Sequence, residues 1–211
     1  MSTFHAATHE LVGATVRAMS VRAPESATRL LVWNFALAHE RMLEVVNDLT
    51  DEQFSNHLHP SVHSIGWQLW HTARWDDRFA EILLEKLPEL AKRHGPARQL
   101  WNSESIAERW GLPVAEMGVR DTGTKMEDEA AEHMQLPNKA EVVDYAMRAF
   151  AFADEVCSSL TDGVLLMELP GDPDHDSTGQ NLMYWLDHVN RHLGMMEAMK
   201  GQLGLTGSAS G

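Results

Sequence analysis

The amino-acid sequence predicts an all-α protein, a four-helix bundle with a long crossover between helices two and three. Two observations carry that prediction. The eight prolines, at positions 24, 60, 88, 96, 113, 137, 170 and 173, leave four long intervals in which no proline removes a helix donor. Inside these intervals apolar residues recur at helical spacing, and no segment shows a convincing period-two strand pattern. Four amphipathic helices without a sheet can bury their stripes only against one another.

The first helix is expected within residues 26–49, where Leu31, Phe35, Ala38, Met42, Val45, Val46 and Leu49 form a stripe. Thr50 and Gln53 stand at capping-box spacing and open a short helix behind it. Ser64 is the expected N-cap of the second helix, which runs to about Lys86 before Pro88 and carries Trp67, His71, Trp75, Phe79 and Ile82 on one face. Asn138 and Glu141 open the third. Val142, Tyr145, Ala149, Ala153, Val156 and Leu160 continue it to a stop near 161–163. The fourth begins near Ser177, three before Gln180, and runs to about Leu203, ahead of a flexible tail from about residue 204. Residues 88–137 differ, with glycines at 95, 111, 118 and 123, interior prolines and short helical pieces such as 103–110. They read as a crossover insertion within a single domain spanning 1–211. A connection of this length is compatible with parallel neighbours, and such loops commonly cover a pocket.

The chain has 211 residues, and 44% apolar content suffices for a core. With 17 basic against 31 acidic residues the net charge is −14, and no Lys/Arg stripe offsets it, which excludes a nucleic-acid footprint. The longest apolar run, 30–38, is too short to span a bilayer and is interrupted by Asn34. No N-terminal stretch pairs a basic with an apolar region, so the chain reads as cytoplasmic. Cys157 is the lone cysteine; within a helical pattern it reads as a small buried hydrophobe rather than a nucleophile.

The most informative pair is His188 and His192, four apart and therefore on one face of the fourth helix. Spacing alone does not single it out among twelve histidines, because His5/His9 and His59/His63 share it. Context does: His59 precedes Pro60, which disfavours a helix there, and His5/His9 sits at the extreme N-terminus. Tyr184, Trp185, His188, His192, Met195 and Met199 are expected to share one inward stripe, and His71 lies between Trp67 and Trp75 on the second helix. Each imidazole buried without a partner costs about 1–3 kcal/mol, so three on two inward faces call for a shared reason, and a metal ion supplies it. The position after His188 is Val189, not the glutamate of a His-Glu-x-x-His protease. His39, Trp67, Trp75 and Trp185 are candidates to line a pocket, although tryptophans at this spacing are more often core. His57, His59 and His63, just ahead of the second helix, could rim the pocket, but read first as a solvated loop. Asp76, Asp77 and Asp187 are candidate partners for imidazole N–H groups, with Asp187 turned away from His188.

Ser64-Ile-Gly-Trp-Gln-Leu-Trp-His71, preceded by Leu49-Thr-Asp-Glu-Gln-Phe54 and followed by His188, His192 and Gly194 before Gly201-Gln-Leu-Gly204, resembles the DinB/YfiT-like superfamily of metalloenzymes. The resemblance covers about Leu30 to Leu205; the first 25 residues and 118–135 match nothing assignable. It implies a four-helix bundle with a crossover between helices two and three, and a divalent metal held by His71, His188 and His192. Zinc and nickel suit three imidazoles, and iron and manganese remain open. The resemblance further implies a homodimer and a transferase or isomerase that uses a low-molecular-weight thiol, mycothiol or bacillithiol, on a small electrophile. Two alternatives stay open: a non-enzymatic metal- or ligand-binding bundle, and metal-assisted hydrolysis.

Overall fold

The structure, a computed structural model, describes residues 26–59 and 62–207. The His5/His9 pair lies outside them, as does the end of the expected tail. Among the described residues there are ten α-helices and no strand: α1 (Ala27–Asn47), α2 (Asp51–Ser55), α3 (Ile65–Lys86), α4 (Pro88–His94), α5 (Leu100–Ser103), α6 (Ile106–Arg109), α7 (Asp128–His133), α8 (Lys139–Ser158), α9 (Asp162–Leu165) and α10 (Thr178–Gln202). None is long and apolar enough to cross a membrane.

The helix starts follow local chemistry. Ser26, Ser64, Asn138 and Ser177 each accept a hydrogen bond from a first-turn amide, and Thr50/Gln53 and Ser177/Gln180 form complete capping boxes. Pro88 stops α3 by forcing Leu87 out of helical dihedrals (φ −121°, ψ 87°). The last turn of α1 is closed from outside, where Lys139 Nζ donates to the carbonyls of Val46 (3.0 Å) and Asn47 (3.2 Å). Two boundaries differ from expectation. Helix α8 ends at Ser158, and Thr161 caps the separate α9, whose Asp162 accepts from the Thr28 amide at 2.9 Å. The expected piece over 103–110 is two helices, because Ser105 is left-handed (φ 49°) between α5 and α6.

Side-chain pairs fix the directions of the four long helices. Phe35 meets Phe79 and His39 meets Asp76, so α1 and α3 run oppositely across the core. Lys139 at the start of α8 meets Val46 at the end of α1, and Asp154 near its end meets His39, so α8 also runs opposite to α1 and therefore parallel to α3, which it touches where Asp77 accepts from Tyr145 Oη at 3.0 Å. Trp185 stacks on Phe79 and His188 meets His71, so α10 runs antiparallel to α3. It therefore runs parallel to α1, and Lys200 meets Asp48 at their common end.

His39 joins three elements. Its ring stacks on Phe150 at 4.1 Å, Nδ1 bonds Asp154 at 3.0 Å and Nε2 bonds Asp76 at 3.1 Å, in a core position 2% exposed. Burial alone would lower its pKa, but Asp154 and Asp76 outweigh burial and raise it from 6.5 to about 10. A folded-state value above the unfolded one means that the stability from this group is fully present below pH 6.5 and is lost as pH rises through about 10. Urea unfolding of the wild-type protein and His39→Gln over this range is expected to show the wild type losing more stability, by an amount on the order of several kcal/mol. Parallel curves for the two proteins would show that His39 carries no charge.

Candidate metal centre

Antiparallel packing of α3 on α10 sets His71 against His188 and His192. The Nε2 atoms of His71 and His188 are 3.2 Å apart, and one ring nitrogen from each of the three histidines lies within 4.8 Å of the others. Two imidazole nitrogens on a tetrahedral zinc stand about 3.3 Å apart at ordinary bond lengths. Among the described residues this is the one group of three or more such side chains close enough to hold an ion, and it has no fourth protein ligand.

The second ring nitrogens are held as well. His71 Nδ1 donates to the carbonyl of Thr122, and His192 Nδ1 donates to Gln68 Oε1 at 2.5 Å. Both acceptors are carbonyl oxygens, so both Nδ1 atoms carry the proton and both Nε2 atoms keep a lone pair. Burial, reinforced by the neighbouring His188 imidazole, pushes His71 down to about 3. Burial and Arg191 take His188 to about 4, and burial with His71, His188 and Arg191 takes His192 to about 2. All three rings are therefore neutral at pH 7, the state in which imidazole binds a divalent cation. Charge state, tautomer and spacing together fit such an ion.

The placement of α10 corrects one expectation. Leu182, Val189, Leu193, Met196 and Met199 point into the core, whereas Tyr184 and Met195 are 58% and 42% exposed. Spacings of three and four residues describe two neighbouring stripes on this helix, and the more continuously aliphatic one turns inward. His188 and His192 sit on the flank between them, half-buried against α3. The cluster thus lies at a helix seam, where one side can open to solvent, and not on the bundle axis.

Of the candidate lining residues, Trp67 is buried and stacks on His71 at 4.7 Å. Trp75 and Trp185 are half-buried and pack edge to face at 5.6 Å, and Trp75 lies 6.4 Å from His188. His39 is not brought to the cluster; both its nitrogens are taken by Asp76 and Asp154. Asp76 and Asp77 do not orient the three clustered histidines either, since Asp76 is bound to His39 and Asp77 accepts from the amides of Leu100 and Trp101. Asp187 pairs with Arg191 on the surface at 3.6 Å. His63 is half-buried rather than solvated and packs on Trp67 at 4.0 Å with its ring tilted by 32°, extending a column of His63, Trp67 and His71. Cys157 is fully buried, and burial pushes its thiol well above the ordinary range, as expected of a core side chain.

Sequence reasoning missed Gln68 and Thr122. Gln68 carried a signal, being the polar residue three before His71 in the run Ile65-Gly-Trp-Gln-Leu-Trp70. Thr122 acts through its backbone carbonyl, which no residue type encodes. Its turn is formed by Gly123 at φ +85°, where a Cβ would stand 2.6 Å from Trp67, 3.0 Å from Trp70 and 3.2 Å from His71 Nδ1. Trp75 Nε1 donates to Thr124 Oγ1 at 2.8 Å and ties the same loop to α3.

A family model described as the DinB superfamily matches residues 34–196. Among solved structures, the crystal structure of a conserved protein of locus from Enterococcus faecalis is similar, with a TM-score of 0.63 and 21% identity over 83% of this chain and 95% of that one. This likeness concerns the fold. No curated protein matches the chain.

With a divalent ion in the cluster, Gln68→Leu is expected to weaken its binding on the order of 10- to 100-fold while leaving the helix intact, because His192 loses the acceptor that fixes its tautomer. Gly123→Ala is expected to cost roughly 1–3 kcal/mol of stability and to weaken such binding as well, because the added methyl meets the two tryptophans and His71. Chelator competition and thermal unfolding on the two variants separate these effects.

Proposed function

Because the chain belongs to the DinB superfamily, we propose that it is a metal-dependent enzyme that uses a low-molecular-weight thiol to transfer sulfur to, or isomerise, a small electrophile. The observation that carries the reading is the neutral His71, His188 and His192 cluster, without a fourth protein ligand among the described residues, at a seam where two ligands are half-buried. A zinc or nickel ion bound there, with its charge uncompensated by ligands, would stabilise a thiolate or lower the pKa of water brought to it.

The chain's own residues have separate tasks. Gln68 and the Thr122 carbonyl hold the Nδ1 protons of His192 and His71, which keeps both Nε2 lone pairs aimed at one point. Trp75 and Trp185 present a half-buried aromatic wall beside His188 that suits an apolar electrophile. Cys157, buried and held as a neutral thiol, leaves the nucleophile to a thiol from outside the protein. The reading includes a homodimer.

Elemental analysis of natively purified protein is expected to find a divalent metal, and His71→Ala, His188→Ala and His192→Ala are each expected to lose it. Stoichiometric metal in all three variants would refute the ligand assignment. With metal present, depletion of mycothiol, bacillithiol or glutathione with monochlorobimane as the electrophile tests the chemistry. A rate that rises with one thiol supports the transferase reading, and indifference to all of them favours hydrolysis.

A further inference from the structure

Arg74 lies one turn beyond His71 on α3 and is 1% exposed. Its guanidinium is used on every side. Nη1 donates to Tyr145 Oη at 3.3 Å and stands 3.5 Å from Asp77 Oδ2, Nη2 donates to Gln99 Oε1 at 3.0 Å, and the group packs over Trp101 at 4.6 Å. These contacts occupy the side of the group that faces the core. The donors they leave over go to the crossover: Nε donates to the carbonyl of Asp121 at 3.0 Å and Nη2 to that of Arg120 at 3.3 Å.

Three consecutive carbonyls of the crossover therefore point at one stretch of α3. Those of residues 120 and 121 go to Arg74, and that of Thr122 goes to His71 Nδ1. Arg120 and Asp121 are both left-handed, each at φ 55°. For a residue with a side chain that conformation costs on the order of 1 kcal/mol or more, so the loop requires outside bonds to stay in it. A planar guanidinium can span two successive carbonyls, which a point-like ammonium cannot.

We infer that Arg74 is a positioning residue for the metal centre, clamping the carbonyls of Arg120 and Asp121 so that the next carbonyl, of Thr122, holds the Nδ1 proton of His71 and aims its Nε2. The inference rests on the metal reading proposed above. It separates two roles within one buried network: the face of Arg74 toward Tyr145 and Asp77 serves the core, and the face toward 120–121 serves the ligand.

Zinc affinity, measured by competition with a chromophoric chelator, tests this on the wild-type protein, Arg74→Lys and Tyr145→Phe. Arg74→Lys keeps a positive charge beside Asp77 but loses the fork, and is expected to bind zinc 10- to 100-fold more weakly, the order found when a ligand's hydrogen-bond partner is removed. Tyr145→Phe is expected to lower the thermal midpoint yet bind zinc within about threefold of wild type, because only the core-facing contact is lost. Equal zinc affinity in folded Arg74→Lys and wild type would overturn the inference while leaving the metal reading intact. A wild-type protein that takes up neither zinc nor nickel would overturn both. If Arg74→Lys does not fold, hydrogen exchange in the wild type decides. Coupling is reciprocal, so zinc must slow exchange at Arg74 Nε–H and at the Thr122 and Gly123 amides; rates unchanged by zinc would overturn the inference.

Discussion

Helices α3 and α8 lie side by side and point the same way, so the chain must travel the length of the bundle between them. A helix of 22 residues is about 33 Å long, and a short turn cannot make that return. The residues between α3 and α8 exist to satisfy this constraint. Once there, they are fastened to α3 by Arg74, Trp75 and Asp77, and the same fastening lays the Thr122 carbonyl on His71. The connection demanded by the topology is thus also the part that orients one of the three clustered histidines.

Two histidine environments in this protein show how partner chemistry sets charge. His39 sits between two carboxylates, which overcome the effect of burial and hold it as an imidazolium linking α1, α3 and α8. His71 and His192 are also largely buried, but their Nδ1 atoms face carbonyl oxygens and their neighbours are other imidazoles, so burial prevails and the rings stay neutral. The first arrangement builds a bundle and the second prepares a cation site. Had carboxylates oriented the cluster, their charge would have opposed the effect of burial as it does at His39, and a divalent ion would have met competition from protons.

The sequence revealed what is encoded locally. Ser64, Asn138, the Thr50/Gln53 box and the Ser177/Gln180 box mark helix starts because a cap involves only residues within one turn. The pairing of His188 with His192 was legible for the same reason, and His71 became its partner through the aromatic setting and the family resemblance. The role of α10's faces was not legible, since Tyr184 and Met195 fit helical spacing as well as Leu182 and Val189 do, and packing against α1 and α3 decides between the two stripes. Nor was the place of His39, whose partners Asp76 and Asp154 lie 37 and 115 residues away. The Thr122 carbonyl was beyond reach altogether, because a backbone atom carries no residue signature and its aim depends on left-handed Arg120 and Asp121.

The central claim is that three histidines from two antiparallel helices form a cation site with coordination positions left for an exogenous group. Zinc K-edge X-ray absorption on the zinc-loaded protein, before and after addition of a thiol, tests it most directly. The account predicts three imidazole nitrogens at about 2.0–2.1 Å with further light donors, one of which is replaced by sulfur at about 2.3 Å when the thiol is added. Four protein ligands in a closed shell that the thiol leaves unchanged, or no bound zinc at all, would contradict it.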